Sequence, residues 1–465
     1  MTASYEVSMD GPQFTELLPG TRRALLHRIA TAQSEGRTPS LVGAVMREGR
    51  MVWSAGRGEV AGRAPGADTQ YRIGSITKSL VAVLVMRLYE EGRVDLDAPL
   101  ATYLDTPEAG EATVAQLLAH TSGLAAEARG PWWERTDGAL RPELADIFGE
   151  RPQRHPAGRT YHYSNPGYAL LGALVERLRG KPWGEVLRRE VLVPLGMDRT
   201  TLLPEAPHAE GWAVHPWADA LLPEPAVDTG RMAPAGQVWS TAADLCRFAA
   251  FLLDGDERVL GREAVARMRV PESGPQDPGW KFGYGLGVQL TRRNGRTLIG
   301  HTGSMPGFVA TLWASPDEAL AGVVLTNRTS CPGVDAAAAA LVDTVARNEP
   351  RIPETWRPLG EVDSTLLELT GPWYWGAAPF ALRLRADRGL ELTPLSGTGR
   401  GSRFRAEDDG TWTGLDAYYA GETLTVVRNA EYAVSHLDVG TFVLTREPYE
   451  QGDAVPGGVG KAGWR

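Results

Sequence analysis

Cysteine is scarce in this chain. Two residues in 465, Cys246 and Cys331, cannot staple a fold, and neither lies in a CxxC or Cys/His spacing, so both read as reduced structural thiols. No HExxH or phosphate-loop pattern is present, and no metal or cofactor is implied. Basic residues are outnumbered, 48 Lys and Arg against 57 Asp and Glu for a net charge of −9, and they form no run. Binding to a phosphate backbone needs clustered cations, so nucleic acid is set aside as a partner. Long apolar runs are also missing. The first ten residues carry neither a basic stretch nor an apolar core, so neither a signal peptide nor a membrane anchor is expected, and the location expected is cytoplasmic.

Apolar residues make up 43% of the chain, ample for real cores, and 465 residues exceed what one core usually serves. Leucines at helical intervals from Phe14 to Gln33 precede a strand–turn–strand signal, Leu41 to Met46 and Met51 to Ala55 around Arg47-Glu48-Gly49-Arg50. The middle is mostly helical: Leu80 to Met86, Thr113 to His120, Tyr168 to Arg179 and Thr241 to Leu253. Pro204 to Gly236 holds six prolines, and so long an irregular stretch reads as a wall of a pocket. Strand signals return at Tyr284 to Leu290, Thr297 to Gly300, Phe308 to Trp313 and Leu320 to Leu325, and the alanine-rich run Val334 to Arg347 reads as a helix packed on them. The expected fold class is α/β, an antiparallel sheet flanked by helices with an inserted helical lobe, occupying residues 1–355. Pro350, Pro353 and Pro358 mark a linker. The alternating segments that follow predict an antiparallel β-barrel or sandwich over 356–449, and the Gly-rich residues 450–465 a disordered tail.

Three short constellations carry chemistry. In Ser75-Ile76-Thr77-Lys78, Ile73-Gly74 leads into an unbroken apolar helix. Serine needs a base to attack at neutral pH, and residues i and i+3 share a helical face, so Lys78 can reach the Ser75 hydroxyl. A lysine inside an all-apolar helix is buried, and a buried lysine needs a reason. Tyr163-Ser164-Asn165 offers a hydroxyl to carry a proton and an amide to hold a substrate carbonyl; the same residues would serve as a buried Tyr and a helix-capping Asn before Pro166. Gly300-His301-Thr302-Gly303 closes one strand signal, and the Ser304 N–H could join that of Ser75 as an oxyanion hole.

Ser-x-x-Lys, Tyr-x-Asn and His-Thr-Gly in this order resemble the penicillin-binding-protein and class C β-lactamase superfamily of serine enzymes. Leu117-Leu-Ala-His-Thr-Ser-Gly-Leu124 and Ser240-Thr-Ala-Ala-Asp-Leu245 look like structural signatures of that family, and the later part resembles a lipocalin-like barrel found behind such domains. The resemblance implies Ser75 as the acylated nucleophile, Lys78 as its base or proton relay and Tyr163 as a second base. It makes Asn165 a substrate-orienting donor, with His301 and Thr302 lining the opposite strand beside Gly303 and Ser304. His120 and Ser122 belong to a packing motif in this reading.

Position 301 departs from the pattern, since penicillin-binding enzymes usually carry lysine there. Lysine is a fixed cation near pH 7 and holds a carboxylate, whereas an unperturbed histidine is mostly neutral. The resemblance therefore points away from β-lactams, toward family members with histidine: esterases, D-aminopeptidases, and the penicillin-binding-protein-type thioesterases that release and macrocyclise nonribosomal peptides. The last is the specific expectation, with a peptidyl thioester delivered by a carrier-protein domain as the substrate. The alternative is an intracellular esterase, a D-aminopeptidase, or a D-Ala-D-Ala carboxypeptidase-like or β-lactamase-like hydrolase. Trp132, Trp133, Trp212 and Trp217 could line an apolar peptide cleft or pack in the core, and Arg428 and Arg446 could contact a carboxylate.

Overall fold

Ser40–Arg47 is buried along almost its whole length, and its alternation sorts side chains to two cores. Leu41 and Val45 face one cluster, where the helices Pro19–Glu35 and Val334–Asn348 pack; Val42, Ala44 and Met46 face the other, with the helices Ile76–Glu90, Asn165–Arg179 and Ala242–Asp254. A computed structural model describes residues 16–449 apart from 141–142, 274–279, 332, 354, 362, 397–398 and 441. It divides the chain into two units, Met1–Arg351 and Ile352–Arg465.

In the first unit seven strands form one sheet in the order Arg50–Gly58, Ser40–Arg47, Leu320–Thr326, Phe308–Ser315, Arg296–Met305, Gln289–Arg293, Phe282–Tyr284. Every neighbouring pair is antiparallel. Early and late strands thus share a sheet, and the helical segments between them are an insertion. Two boundaries differ from the sequence reading. The run from Tyr284 to Leu290 is broken, because Gly287 (φ 83°) turns the chain between two short strands. The strand through His301 is longer, Arg296–Met305, since its partner Phe308–Ser315 pairs with it from Ile299 to Met305.

The helix Ile76–Glu90 buries 12 of its 15 residues, Lys78 among them. Ahead of it, Tyr71–Arg72 pairs with Trp239–Ser240, and the Ile73 N–H donates to the Val238 carbonyl. That pairing draws the end of the proline-rich stretch, the 3-10 turn Gly230–Ala235, under the nucleophile helix. Ser164, rather than Asn165, caps Asn165–Arg179, its hydroxyl accepting from the Gly167 N–H at 3.1 Å. Among the described residues no helix is long and apolar enough to cross a membrane.

The second unit holds a closed barrel of eight consecutive strands, from Gly371–Trp375 to Phe442–Thr445. Trp373, Phe404 and Leu424 fill its interior together with the alternate-residue pairs Phe380 and Leu382, Leu390 and Leu392, and Leu437 and Val439. Arg428 and Arg446 are engaged within this unit: Arg428 donates to Glu368 at 2.8 Å, and Arg446 donates to the Thr370 carbonyl and stacks 3.9 Å over Trp373. The stretch 450–465 lies outside the described residues.

Candidate active site

Lys78 ends its side chain between two acceptors. Its Nζ donates to Ser75 Oγ at 3.0 Å and to the Ala235 carbonyl at 2.6 Å, and the residue has no exposure to solvent. Burial lowers its pKa to about 7, against the opposing pull of Glu127 and then Glu134. Such a lysine is partly neutral at physiological pH and free to take a proton from Ser75. Tyr163 completes the cluster, lining the same cleft as Ser75 with its ring centroid 4.9 Å from Lys78 Nζ. Burial pushes its phenol well above the usual range, so near pH 7 it is a neutral hydroxyl rather than a tyrosinate.

Two glycines let the backbones close up around Ser75. Gly74 has φ 52°, and a Cβ there would lie 2.5 Å from the Ser304 nitrogen. A Cβ at Gly303 would collide with the Ile73 carbonyl and sit 2.8 Å from the Ser75 nitrogen. The amides of Ser75 and Ser304 therefore come near each other only because neither intervening residue has a side chain.

Ser75, Tyr163, Thr302, Gly303 and Ser304 share a cleft of about 530 Å³ with Gln289, Thr311 and Thr329. Gln289 accepts from both the amide and the hydroxyl of Thr302. His301 lies behind this wall and is 1% exposed. Its Nδ1 donates to the Thr302 carbonyl and its Nε2 accepts from the Tyr284 hydroxyl at 2.8 Å. Burial, with Lys78 nearby, lowers its pKa to about 3, so the ring is neutral. Asn165 is also buried, and its amide donates to Glu127 at 3.0 Å.

Glu127 and Glu134 are site residues that the motifs do not reveal. Glu127 is held by Asn165 and by the Trp133 indole at 2.8 Å, Glu134 by the Trp132 indole at 2.8 Å. Burial and Glu127 raise the Glu134 pKa, while Lys78 and Arg72 act against that rise. Trp133 is in the core, while Trp217 is 90% exposed on the turn between Trp212–Val214 and Leu221–Pro223. Neither lines the cleft. Among the described residues no group of three His, Cys, Asp or Glu is arranged to hold a metal.

Known proteins resemble this chain to differing extents. Penicillin-binding protein 4 of Amycolatopsis lactamdurans is 32% identical over 279 residues, which are 56% of this chain and 72% of that protein. The D-aminopeptidase of Brucella ovis is 25% identical and matches 61% of this chain, but the chain spans only 55% of that enzyme's length. The crystal structure of SurE superposes with a TM-score of 0.60 at 26% identity, covering 92% of this chain and 99% of that one, and SurE has also been solved with D-Leu. Residues 362–446 match a domain of unknown function. Residues 25–347 match the β-lactamase family model, which takes in the whole seven-stranded sheet and the helical insertion, and the chain belongs to that family of serine hydrolases, whose superfamily includes the penicillin-binding proteins.

Proposed function

We propose that the protein is a stand-alone acyltransferase that releases a carrier-bound nonribosomal peptide from its thioester and closes it head to tail. The observation that carries the acyl-enzyme chemistry is the contact of Lys78 with Ser75: a fully buried amine, its pKa lowered to about 7, 3.0 Å from a serine hydroxyl. Lys78 takes the Ser75 proton as Oγ bonds to the acyl carbon. The C–S bond then breaks, and the departing thiolate takes a proton through Tyr163. The oxyanion formed on the way is held by the Ser75 and Ser304 amides. In the second half the peptide's own amine bonds to the acyl carbon, the C–O bond to Ser75 breaks, and the amine's proton returns to Ser75.

The choice of acyl donor rests on the far wall of the cleft. His301 is neutral and occupied with Tyr284, so no cation stands at the position where a lysine would hold a β-lactam's carboxylate. An acyl donor whose leaving group lacks a carboxylate fits that wall. Likeness to SurE, solved with D-Leu, and to a D-aminopeptidase supports a D-configured residue at the acylated position. Thioesters on carrier domains exist in the cytoplasm, which is where the reaction is proposed to occur.

Incubation with a peptidyl thioester ending in a D-residue, followed by intact-mass spectrometry, tests the reading. An acyl adduct on the wild type that is absent from Ser75→Ala is expected, together with a cyclic product. No adduct, or one that survives Ser75→Ala, refutes the nucleophile. The likeness to the D-aminopeptidase supports a second reading, hydrolysis, in which water resolves the same acyl-enzyme; exclusively linear acid as the product would establish it.

A further inference from the structure

Tyr163 is fixed by a residue that the proton transfers leave unused. His120 follows the short helix Val114–Leu118, is fully buried, and has φ 57°, a left-handed conformation uncommon outside glycine. Three contacts run from it to the segment carrying Tyr163. Its carbonyl accepts from the His162 N–H at 2.8 Å. Its Nδ1 accepts from the Ser164 N–H at 3.0 Å. Its ring lies over that of Tyr163, with centroids 4.1 Å apart and planes tilted by 32°. One histidine thus ties down the residues on both sides of the tyrosine and packs against the ring between them.

The same geometry fixes the imidazole's tautomer. Accepting at Nδ1 leaves the ring hydrogen on Nε2, and that atom is buried with no hydrogen-bond partner among the described residues. A buried donor without an acceptor destabilises the fold, a cost that a residue serving packing alone would avoid by being apolar. Around the ring stand Tyr284 at 4.7 Å, Tyr168 at 5.2 Å and Tyr161 at 6.1 Å. Burial, then Lys78, His301 and His162, hold its pKa well below the usual histidine range, so Nδ1 stays open to the Ser164 N–H.

We propose that His120 is a positioning residue for Tyr163, its imidazole Nδ1 and its carbonyl clamping residues 162–164 so that the tyrosine hydroxyl stays beside Ser75. The inference rests on Tyr163 relaying the proton to the leaving group. A loss of overall packing would slow every substrate alike, whereas a misplaced relay slows only those whose leaving group must be protonated.

The test compares two donors of one acyl group, an alkyl thioester and a p-nitrophenyl ester, whose phenolate departs without a proton. In His120→Asn the side-chain oxygen replaces Nδ1 but the ring is lost; in His120→Phe the ring is kept and the acceptor is lost. Each, like Tyr163→Phe, is expected to slow acylation by the thioester about 100-fold. In the two histidine variants the p-nitrophenyl ester rate should stay nearly unchanged, and on the thioester the double variant with Tyr163→Phe should be no slower than Tyr163→Phe alone. Equal slowing on both donors, or losses that multiply in the double variant, overturns the clamp and leaves the relay standing. A Tyr163→Phe protein as fast as wild type on the thioester overturns the relay, and the clamp with it. Should one histidine variant fail to fold, as judged by its melting transition, the other carries the same comparison.

Discussion

The Tyr284 hydroxyl donates to His301 Nε2 across 2.8 Å, joining two adjacent regions of the sheet behind the wall of the cleft. With Nδ1 spent on the Thr302 carbonyl, the imidazole has no free nitrogen to offer a substrate. The residue that stands where related enzymes carry lysine therefore acts as a neutral strut.

His301→Lys should not create a β-lactamase. The new ammonium would enter a wall that is closed to water and would face the like charge of Lys78. An uncompensated buried charge costs about 3–5 kcal/mol, so a sharply lower melting temperature is expected, with no hydrolysis of nitrocefin. His301→Gln, which keeps a polar group without the charge, should lose much less. A His301→Lys protein that melts like wild type and opens nitrocefin would contradict this account of the wall.

Lys78 should cost stability in a pH-dependent way. Its folded pKa of about 7 lies below the ordinary value of 10.5, so between those limits the unfolded chain binds more protons than the folded one. Stability from this group therefore rises with pH across the window from about 7 to 10.5 and is lowest below it. Lys78→Met removes the titration along with the activity. Its melting temperature relative to wild type should shift in the variant's favour as the pH falls from 10 to 7. A difference that is constant with pH would show that the lysine is solvated.

Legibility in the sequence followed the range of the interaction. Ser75 and Lys78 were readable together because three residues of one helix fix their geometry, and the apolar run behind them announced burial. The sheet's membership was legible from alternation, while the break at Gly287 depended on a backbone turn inside an apolar run. Glu127 was not legible. It lies in a loop, far along the chain from Ser75, and reaches the site only because Asn165 and Trp133 bind its two oxygens. The placement of His301 behind the wall was hidden for a similar reason, since it is set by Tyr284 on another strand.

Gly303→Ala should disable acylation without unfolding the sheet. The added methyl meets the Ile73 carbonyl and the Ser75 nitrogen, so the strand must move away from the nucleophile's turn and take the Ser304 amide with it. Loss of one oxyanion donor costs about 100- to 1000-fold in kcat. That drop, with a near-native circular dichroism spectrum and an unchanged KM, is the expected outcome. A variant that keeps its kcat would remove Ser304 from the oxyanion hole.

Glu127 sets the pH at which Lys78 becomes a base. Burial lowers the lysine's pKa, and Glu127 is the largest influence raising it. Glu127→Gln removes the charge in nearly the same volume; its one remaining oxygen can accept from Asn165 or Trp133 but not from both, a loss of about 1 kcal/mol. Without the carboxylate the lysine's pKa falls below about 7, and the neutral amine persists into more acidic solution. The acylation rate of the wild type should rise with pH through about 7, and that of Glu127→Gln should complete its rise at lower pH. Glu134→Gln should shift the profile in the same direction by less, since its influence on Lys78 is the smaller of the two. Stopped-flow acylation by a p-nitrophenyl ester between pH 5 and 9 reads the shift directly. Superimposable wild-type and Glu127→Gln profiles would mean that the titrating base is not Lys78, or that Glu127 does not sense it.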